Sequence, residues 1–348
     1  LELGHPVKQS ASNIKRFHHI PIPNALHLRH HNFVRIIKKI KPANIVFWST
    51  LPSIPTLEFC RKKNIRTIYY DHGKIWRLPE LHTRDHLSHI DKVLTVSHAA
   101  AQVFRLRIGF VGHLEIIPNP SRVASTNSER RELRPKPSPL QIGFAARMVS
   151  IKGFPIALET FAKLKERGLD VYLNVAGDGP NLEKWKKVAS QRLGDTGKIS
   201  FLGSVSEMER FYDKQDIMII PSLNDSFGLV SAEASARGAV PLVSNVDGLP
   251  ETVVDQLTGY IIPLDQSLEY YTSLGGDTHD FPEKVYNPKT DSLIAPQAPN
   301  AESFCHVIEK LHNDRDLLLK VQRNAISHAD DAFSFRQYLA SFKRSLHY

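Results

Sequence analysis

Residues 217–251 constrain the fold more than any other part of the chain. Ile217, Met218, Ile219 and Ile220 form a short apolar run closed by Pro221, which has no N–H to donate into a central ladder. Residues 222–228 are polar and turn-prone, residues 229–237 have the composition of a helix, and Gly238 is the residue for its left-handed cap. Val240, Leu242 and Val243 rebuild a strand, and Asp247, Gly248 and Pro250 make the next turn. A buried parallel strand whose loop opens a helix presents N–H groups to an anion. Asp225 and Glu233 lie eight residues apart across that opening. Both carboxylates can therefore sit near one ligand, Asp225 ahead of the helix and Glu233 in its early turns.

The same alternation runs through the rest of the chain. Strands are expected at 44–48, 67–70, 93–96 and 114–117, then at 141–144, 171–176, 199–202, 217–220, 240–243 and 259–262. Helical patterns between them argue for parallel sheets in two α/β halves. The first domain is expected over 1–120. The Ser-, Arg- and Pro-rich stretch 121–140 reads as the linker, and 141–330 as the second domain. Residues 263–299 have no period and much Pro, Gly and Asp, so they read as an irregular insertion. Residues 331–348 read as a terminal helix that returns to the first domain. The opening LELGHPV has the character of a helix end, a Gly turn and a strand start. It leads us to expect a preceding strand and loop that this sequence lacks.

Length and composition fit two folded domains, with 348 residues of which 41% are hydrophobic. No apolar run reaches the eighteen or so residues of a membrane span, and the opening LELGHPVKQS does not show the basic start and apolar core expected of a signal peptide. Cys60 and Cys305 are far apart and read as two reduced thiols of a cytoplasmic protein. The formal charge of +9 is uneven. Residues 1–120 hold 18 Lys+Arg against 7 Asp+Glu, and the remainder 27 against 29. Such a basic first third suits an anionic partner. No nucleic-acid signature accompanies it, so an anionic membrane surface is the expectation, with a purely solubilising face as the alternative. Residues 32–40 place Phe33, Ile36, Ile37 and Ile40 on one helical face and Arg35, Lys38 and Lys39 on another. That pattern suits either a membrane surface or the cover of a sheet.

Site candidates fall at strand ends. His72 and Gly73 follow the strand at 67–70, where open α/β sheets bind ligands. Arg147 and Lys152 follow the strand at 141–144, and two cations there suit a diphosphate, with Arg able to fork onto two oxygens. Gly177 and Asp178 open the tight turn after the strand at 171–176. His18, His19, His27, His30 and His31 show no metal-binding spacing, and no Asp-x-Asp stands at these strand ends, the one such spacing being Asp314-Arg315-Asp316.

Five segments in order, GFAARMVSIKG, VAGDGP, ISFLGSV, PSLNDSFGLVSAEASARG and DGLPETV, make residues 141–262 resemble the retaining glycosyltransferase family 4 of the GT-B fold. GHPV, YYDHG, DKVLTVS and IIPNP extend the resemblance more loosely into the first domain. The resemblance implies two Rossmann-like domains facing across a cleft, and a nucleotide-diphosphate sugar as donor. Arg147, Lys152 and the amides near Phe227, Gly228 and Leu229 would hold its diphosphate, with Gly177 and Asp178 on the donor side. Glu233 would hold the ribose hydroxyls, while Asp225, one methylene shorter than the family's usual Glu, would face the donor sugar. His72 and Gly73 would approach the sugar being moved. The implied reaction is a retaining transfer without metal or cofactor to a glycan or lipid-linked acceptor, in bacterial lipopolysaccharide or capsule synthesis. A peripheral position on the inner membrane goes with it. A nucleotide-sugar epimerase or hydrolase of like architecture, or a non-catalytic nucleotide-sugar-binding protein, are the alternatives.

Overall fold

The computed structural model describes residues 26–123, 139–194 and 197–347. The opening LELGHPV, His18, His19, the side chains of His27 and His30, and linker residues 124–138 lie outside them.

The first lobe runs α1 (Leu26–Ile40), β1 (Asn44–Trp48), α2 (Ile54–Lys62), β2 (Arg66–Asp71), α3 (Glu80–Leu87), β3 (Lys92–Thr95), α4 (His98–Ile108) and β4 (Leu114–Ile116). Its strands pair in parallel in the order β1-β2-β3-β4. The central strands are buried on both faces, as parallel sheets flanked by helices are. The apolar face of α1 turns inward, with Phe33 and Ile37 packed against Cys60 and Ile65. Its end stays exposed at Lys38, Lys39 and Ile40. Most of that face therefore covers the lobe, and little of it is left for a membrane.

The second lobe runs β5 (Leu140–Ala145), α5 (Phe154–Glu166), β6 (Val171–Ala176), α6 (Leu182–Leu193), β7 (Ile199–Gly203), α7 (Met208–Asp213), β8 (Ile217–Ile220), α8 (Leu229–Ala236), β9 (Val240–Ser244) and β10 (Tyr260–Ile262). Its parallel order is β10-β9-β8-β5-β6-β7. The chain builds outward from β5 through β6 and β7, then returns to the other side of β5 with β8. The loops after β5 and β8 thus diverge at a reversal of strand order, where doubly wound sheets open a crevice. Helices α3 and α6 have no counterpart in the sequence reading. α3 is mostly polar, and buries only Thr83, His86 and Leu87.

Residues 263–299 are an ordered appendage rather than an irregular loop. They hold β11 (Leu264–Gln266), α9 (Leu268–Ser273), the hairpin β12 (Val285–Asn287) and β13 (Ser292–Ile294), and β14 (Ala298–Pro299). Docking gives the order that periodicity did not announce: Tyr271 and Val285 are fully buried, and Tyr286 joins the first-lobe core. Three helices follow, α10 (Ala301–Asn313), α11 (Arg315–Ala332) and α12 (Phe335–Ser345). The last returns to the first lobe, where Phe342 stacks on Tyr70 and the buried Lys92 Nζ donates to Ser345 O at 3.0 Å. One apolar cluster spans both lobes, joining Ile68, Tyr70 and Leu94 to Phe227, Ala232 and Phe333. Among the described residues no helix is long and apolar enough to cross a membrane.

Candidate active site

The loops after β5 and β8 are locked together by their backbones. Leu223 N donates to Ile151 O at 2.8 Å. Gly153, at φ +74, has no room for a side chain, since a Cβ would lie 1.9 Å from Pro221 O. That contact admits only glycine, and it sets Lys152 beside the β8 loop. Lys152 Nζ donates to Asp225 Oδ2 at 2.7 Å, and the other oxygen accepts from Gly228 N at 2.9 Å and Phe227 N at 3.3 Å. An ammonium and two amides at the start of α8 therefore converge on one anion, and that anion is the protein's own carboxylate.

The first lobe faces this cradle with the loop after β2. Asp71 is fully buried and folds that loop, accepting from Gly73 N at 2.8 Å, Lys74 N at 3.1 Å and Tyr69 OH at 2.9 Å. Burial pushes its carboxyl upward, while those bonds pull it down. Gly73 approaches Ser226 so closely that a Cβ would lie 2.7 Å from Ser226 Oγ. His72 stacks on Trp48 with ring centroids 4.7 Å apart. Burial pushes its imidazole down to about 4, against the upward pull of a bond to Asn119. It is neutral at ordinary pH, and its Nε2 is buried with no partner among the described residues.

A cleft of about 410 Å³ lies between the lobes. His72, Gly73, Trp76 and Arg77 line one side, Arg147, Ser150, Lys152, Asn224, Asp225 and Ser226 the other, and Asp280 of the appendage also contributes. Of the residues singled out in the sequence, the cleft thus gathers His72, Gly73, Arg147, Lys152 and Asp225.

The others stand elsewhere. The amides of Phe227 and Gly228 are already taken by Asp225, because an acidic side chain three residues ahead caps that turn. Phe227 itself packs into the shared core against Phe333, and Leu229 packs beside the same cluster. Glu233 is buried, with Oε1 accepting from Arg122 Nε at 2.7 Å and Oε2 from Tyr212 OH at 2.8 Å. It does not line the cleft, since the exposed Arg122 side chain is paired with it. Gly177 and Asp178 are not in the lining either. They brace the β5 loop from behind, with Met148 N donating to Asp178 O at 2.9 Å and Gly177 lying hard against Ala146 O.

Sequence reasoning missed Arg77, Arg122, Tyr212 and Asp280, and read Asp247 only as a turn. Asp247 is wholly buried, with φ +49. Its Oδ1 accepts from Trp76 Nε1 at 2.9 Å and Tyr286 N at 2.8 Å, and its Oδ2 from Asn224 Nδ2 at 2.6 Å and Asp225 N at 3.1 Å. Burial pushes its carboxyl up to about 7 against those four bonds. Glu251 makes a second tie between lobes, accepting from His98 N at 2.7 Å and Ala99 N at 2.8 Å at the start of α4. Among the described residues, no group of three His, Cys, Asp or Glu side chains could hold a metal ion.

Residues 125–269 match the family described as glycosyl transferases group 1. A D-inositol 3-phosphate glycosyltransferase of Corynebacterium glutamicum is 32% identical over 41% of this chain and 36% of its own length. The putative colanic acid biosynthesis glycosyltransferase WcaL of Escherichia coli is 27% identical over 49% of each chain. The chain thus spans half or less of the length of these relatives. Among solved structures, a glycosyltransferase from Rickettsia africae aligns with a TM-score of 0.73 at 19% identity, covering 94% of this chain and 84% of that one. Anabaena HepE, solved with UDP and glucose, aligns at 0.67 and 15%, covering 95% and 85%. The lipopolysaccharide outer core galactosyltransferase WaaB aligns at 0.66 and 14%, covering 94% and 84%. The two lobes, their parallel sheets and the cleft between them are a GT-B fold.

Proposed function

We propose, from the match of residues 125–269 to the glycosyl transferases group 1 family, that this chain moves a sugar from a nucleotide-diphosphate sugar to a glycan or lipid-linked acceptor. The observation that carries the reading is the cradle at the strand reversal, where Lys152 Nζ and the amides of Phe227 and Gly228 already hold a carboxylate. Arg147 lines the same cleft. A donor's diphosphate takes over the place of the Asp225 carboxylate, and Asp225 turns to the hydroxyls of the donor sugar. Breaking the sugar–phosphate bond puts negative charge on the leaving diphosphate and positive charge on the ring. Arg147, Lys152 and the start of α8, once Asp225 has turned away, stabilise the former. The neutral His72, on the facing wall, lies on the side of the sugar. The ribose is held by Glu233 once Arg122 has swung off it.

The reading is a retaining, metal-independent transfer in surface-glycan synthesis, such as lipopolysaccharide or capsule, at the cytoplasmic face of the inner membrane. The names of WcaL and WaaB support that setting. The cations of the first lobe, exposed at Lys38, Lys39, Arg61, Lys62 and Lys63, support attraction to anionic lipid. Thermal-shift screening of nucleotide-diphosphate sugars tests the donor, and stabilisation should be lost in Arg147→Ala and Glu233→Ala. A donor consumed without acceptor points instead to an epimerase or hydrolase. Binding without any turnover points to a non-catalytic protein.

A further inference from the structure

We infer that Asp247 is a positioning residue that makes the placement of Asp225 depend on closure of the two lobes. The inference rests on the reading of the cleft given above. Its basis is where the four donors on that carboxylate come from. Trp76 Nε1 belongs to the first lobe, Asn224 Nδ2 and Asp225 N to the β8 loop, and Tyr286 N to the appendage. Trp76, Asn224 and Asp225 all line the cleft, so both of its walls are fastened to one side chain behind them. The bonds divide by oxygen: Oδ2 holds the Asn224–Asp225 loop, and Oδ1 holds Trp76 and the appendage. Asp247 reaches this position in a left-handed backbone conformation, which aspartate tolerates better than most residues but which still stores strain. Its own N–H donates to Tyr286 O at 3.0 Å, closing the bond pair with the appendage.

A carboxylate with two acceptor sites on each oxygen is filled by four donors. Asparagine keeps the shape but replaces one oxygen with an NH2 group. Either way round, two of the four donors then face another donor. When the lobes separate, Trp76 leaves Oδ1, and the remaining bonds no longer fix the carboxylate from both sides. The backbone anchor of Asp225 on Oδ2 then hangs on a carboxylate held from one side only, and Lys152 faces a partner less firmly fixed.

The test measures kcat, nucleotide-diphosphate affinity and small-angle scattering on the full chain. Asp247→Asn should lower kcat roughly 30- to 100-fold, and Trp76→Phe about tenfold, with nucleotide-diphosphate Kd changing less than about threefold. The double variant should fall no further than Asp247→Asn, since the two act as one unit. Both single variants should show a larger radius of gyration. Losses that multiply, a Kd that weakens as much as kcat falls, or unchanged scattering would each overturn the inference. Should Asp247→Asn fail to fold, Trp76→Phe decides alone, and an undiminished kcat refutes the link. Should the wild-type chain bind no nucleotide, the reading of its function fails, while scattering of the two variants still decides whether Asp247 holds the lobes together.

Discussion

Asp71 and Asp247 are both wholly buried, and among the described residues both are held by hydrogen-bond donors with no cation bonded to them. They differ in reach. The donors on Asp71 lie within four residues of it, so that carboxylate folds one loop of one lobe. The donors on Asp247 lie 22, 23, 39 and 171 residues away, in three segments drawn from two lobes and an appendage. The first is a local device that shapes a wall of the cleft. The second fixes the walls relative to each other. The same chemical group is thus a matter of secondary structure in one place and of quaternary-like assembly within one chain in the other.

Removing each group should separate the two roles. Asp247→Ala leaves buried donors from Trp76 and Tyr286 without partners, and should cost roughly 3–6 kcal/mol in urea unfolding. The pH dependence of the gap between wild type and Asp247→Asn is next in size. Burial holds the Asp247 carboxyl protonated up to about 7 in the folded chain, whereas the unfolded chain releases the proton near the ordinary value of 3.8. The folded state therefore binds more protons in that window, and wild-type stability relative to the variant should fall as pH rises from about 4 to about 7, by up to about 4 kcal/mol. It should level off above. Turnover should move the opposite way, because the ionised form is the one that accepts four donors, including Asp225 N beside the Lys152 ion pair. Chemical unfolding and pH–rate profiles of both proteins check the pair of trends. Asp71→Ala should cost less, about 1–3 kcal/mol, since Gly73 and Lys74 can turn to water, and should leave the radius of gyration unchanged. Glu251→Gln removes a negative charge from the start of α4 and should cost about 1 kcal/mol, with a small increase in radius of gyration by scattering.

The contrast also explains what could be read from residues alone. Arg147, Lys152 and Asp225 are legible because each follows a strand in a loop whose order along the chain is also its order around the crevice. His72 and Gly73 are legible in the same way, whereas Asp71, which folds their loop, was not singled out. Asp247 has a plain local signature, a turn after a strand, and nothing within twenty residues hints at Trp76. Glu233 sits where the spacing puts it, in the second turn of α8, but its partner Arg122 comes from the stretch between the lobes. The appendage looked unstructured because Tyr271 and Tyr286 take their order from docking rather than from any repeat. The helix at 32–40 was legible as amphipathic, though only packing could say that Phe33 and Ile37 face Cys60 and Ile65.

The carboxylate of Asp225 resting on Lys152 and two amides sets a threshold for whatever enters. An ion with a single charge that displaces it exchanges like for like and gains almost nothing. A doubly charged linkage that reaches Arg147 as well brings more charge than it expels. On the function proposed above, the cleft is thus guarded by the protein's own carboxylate, and chemical selection begins before any sugar is recognised.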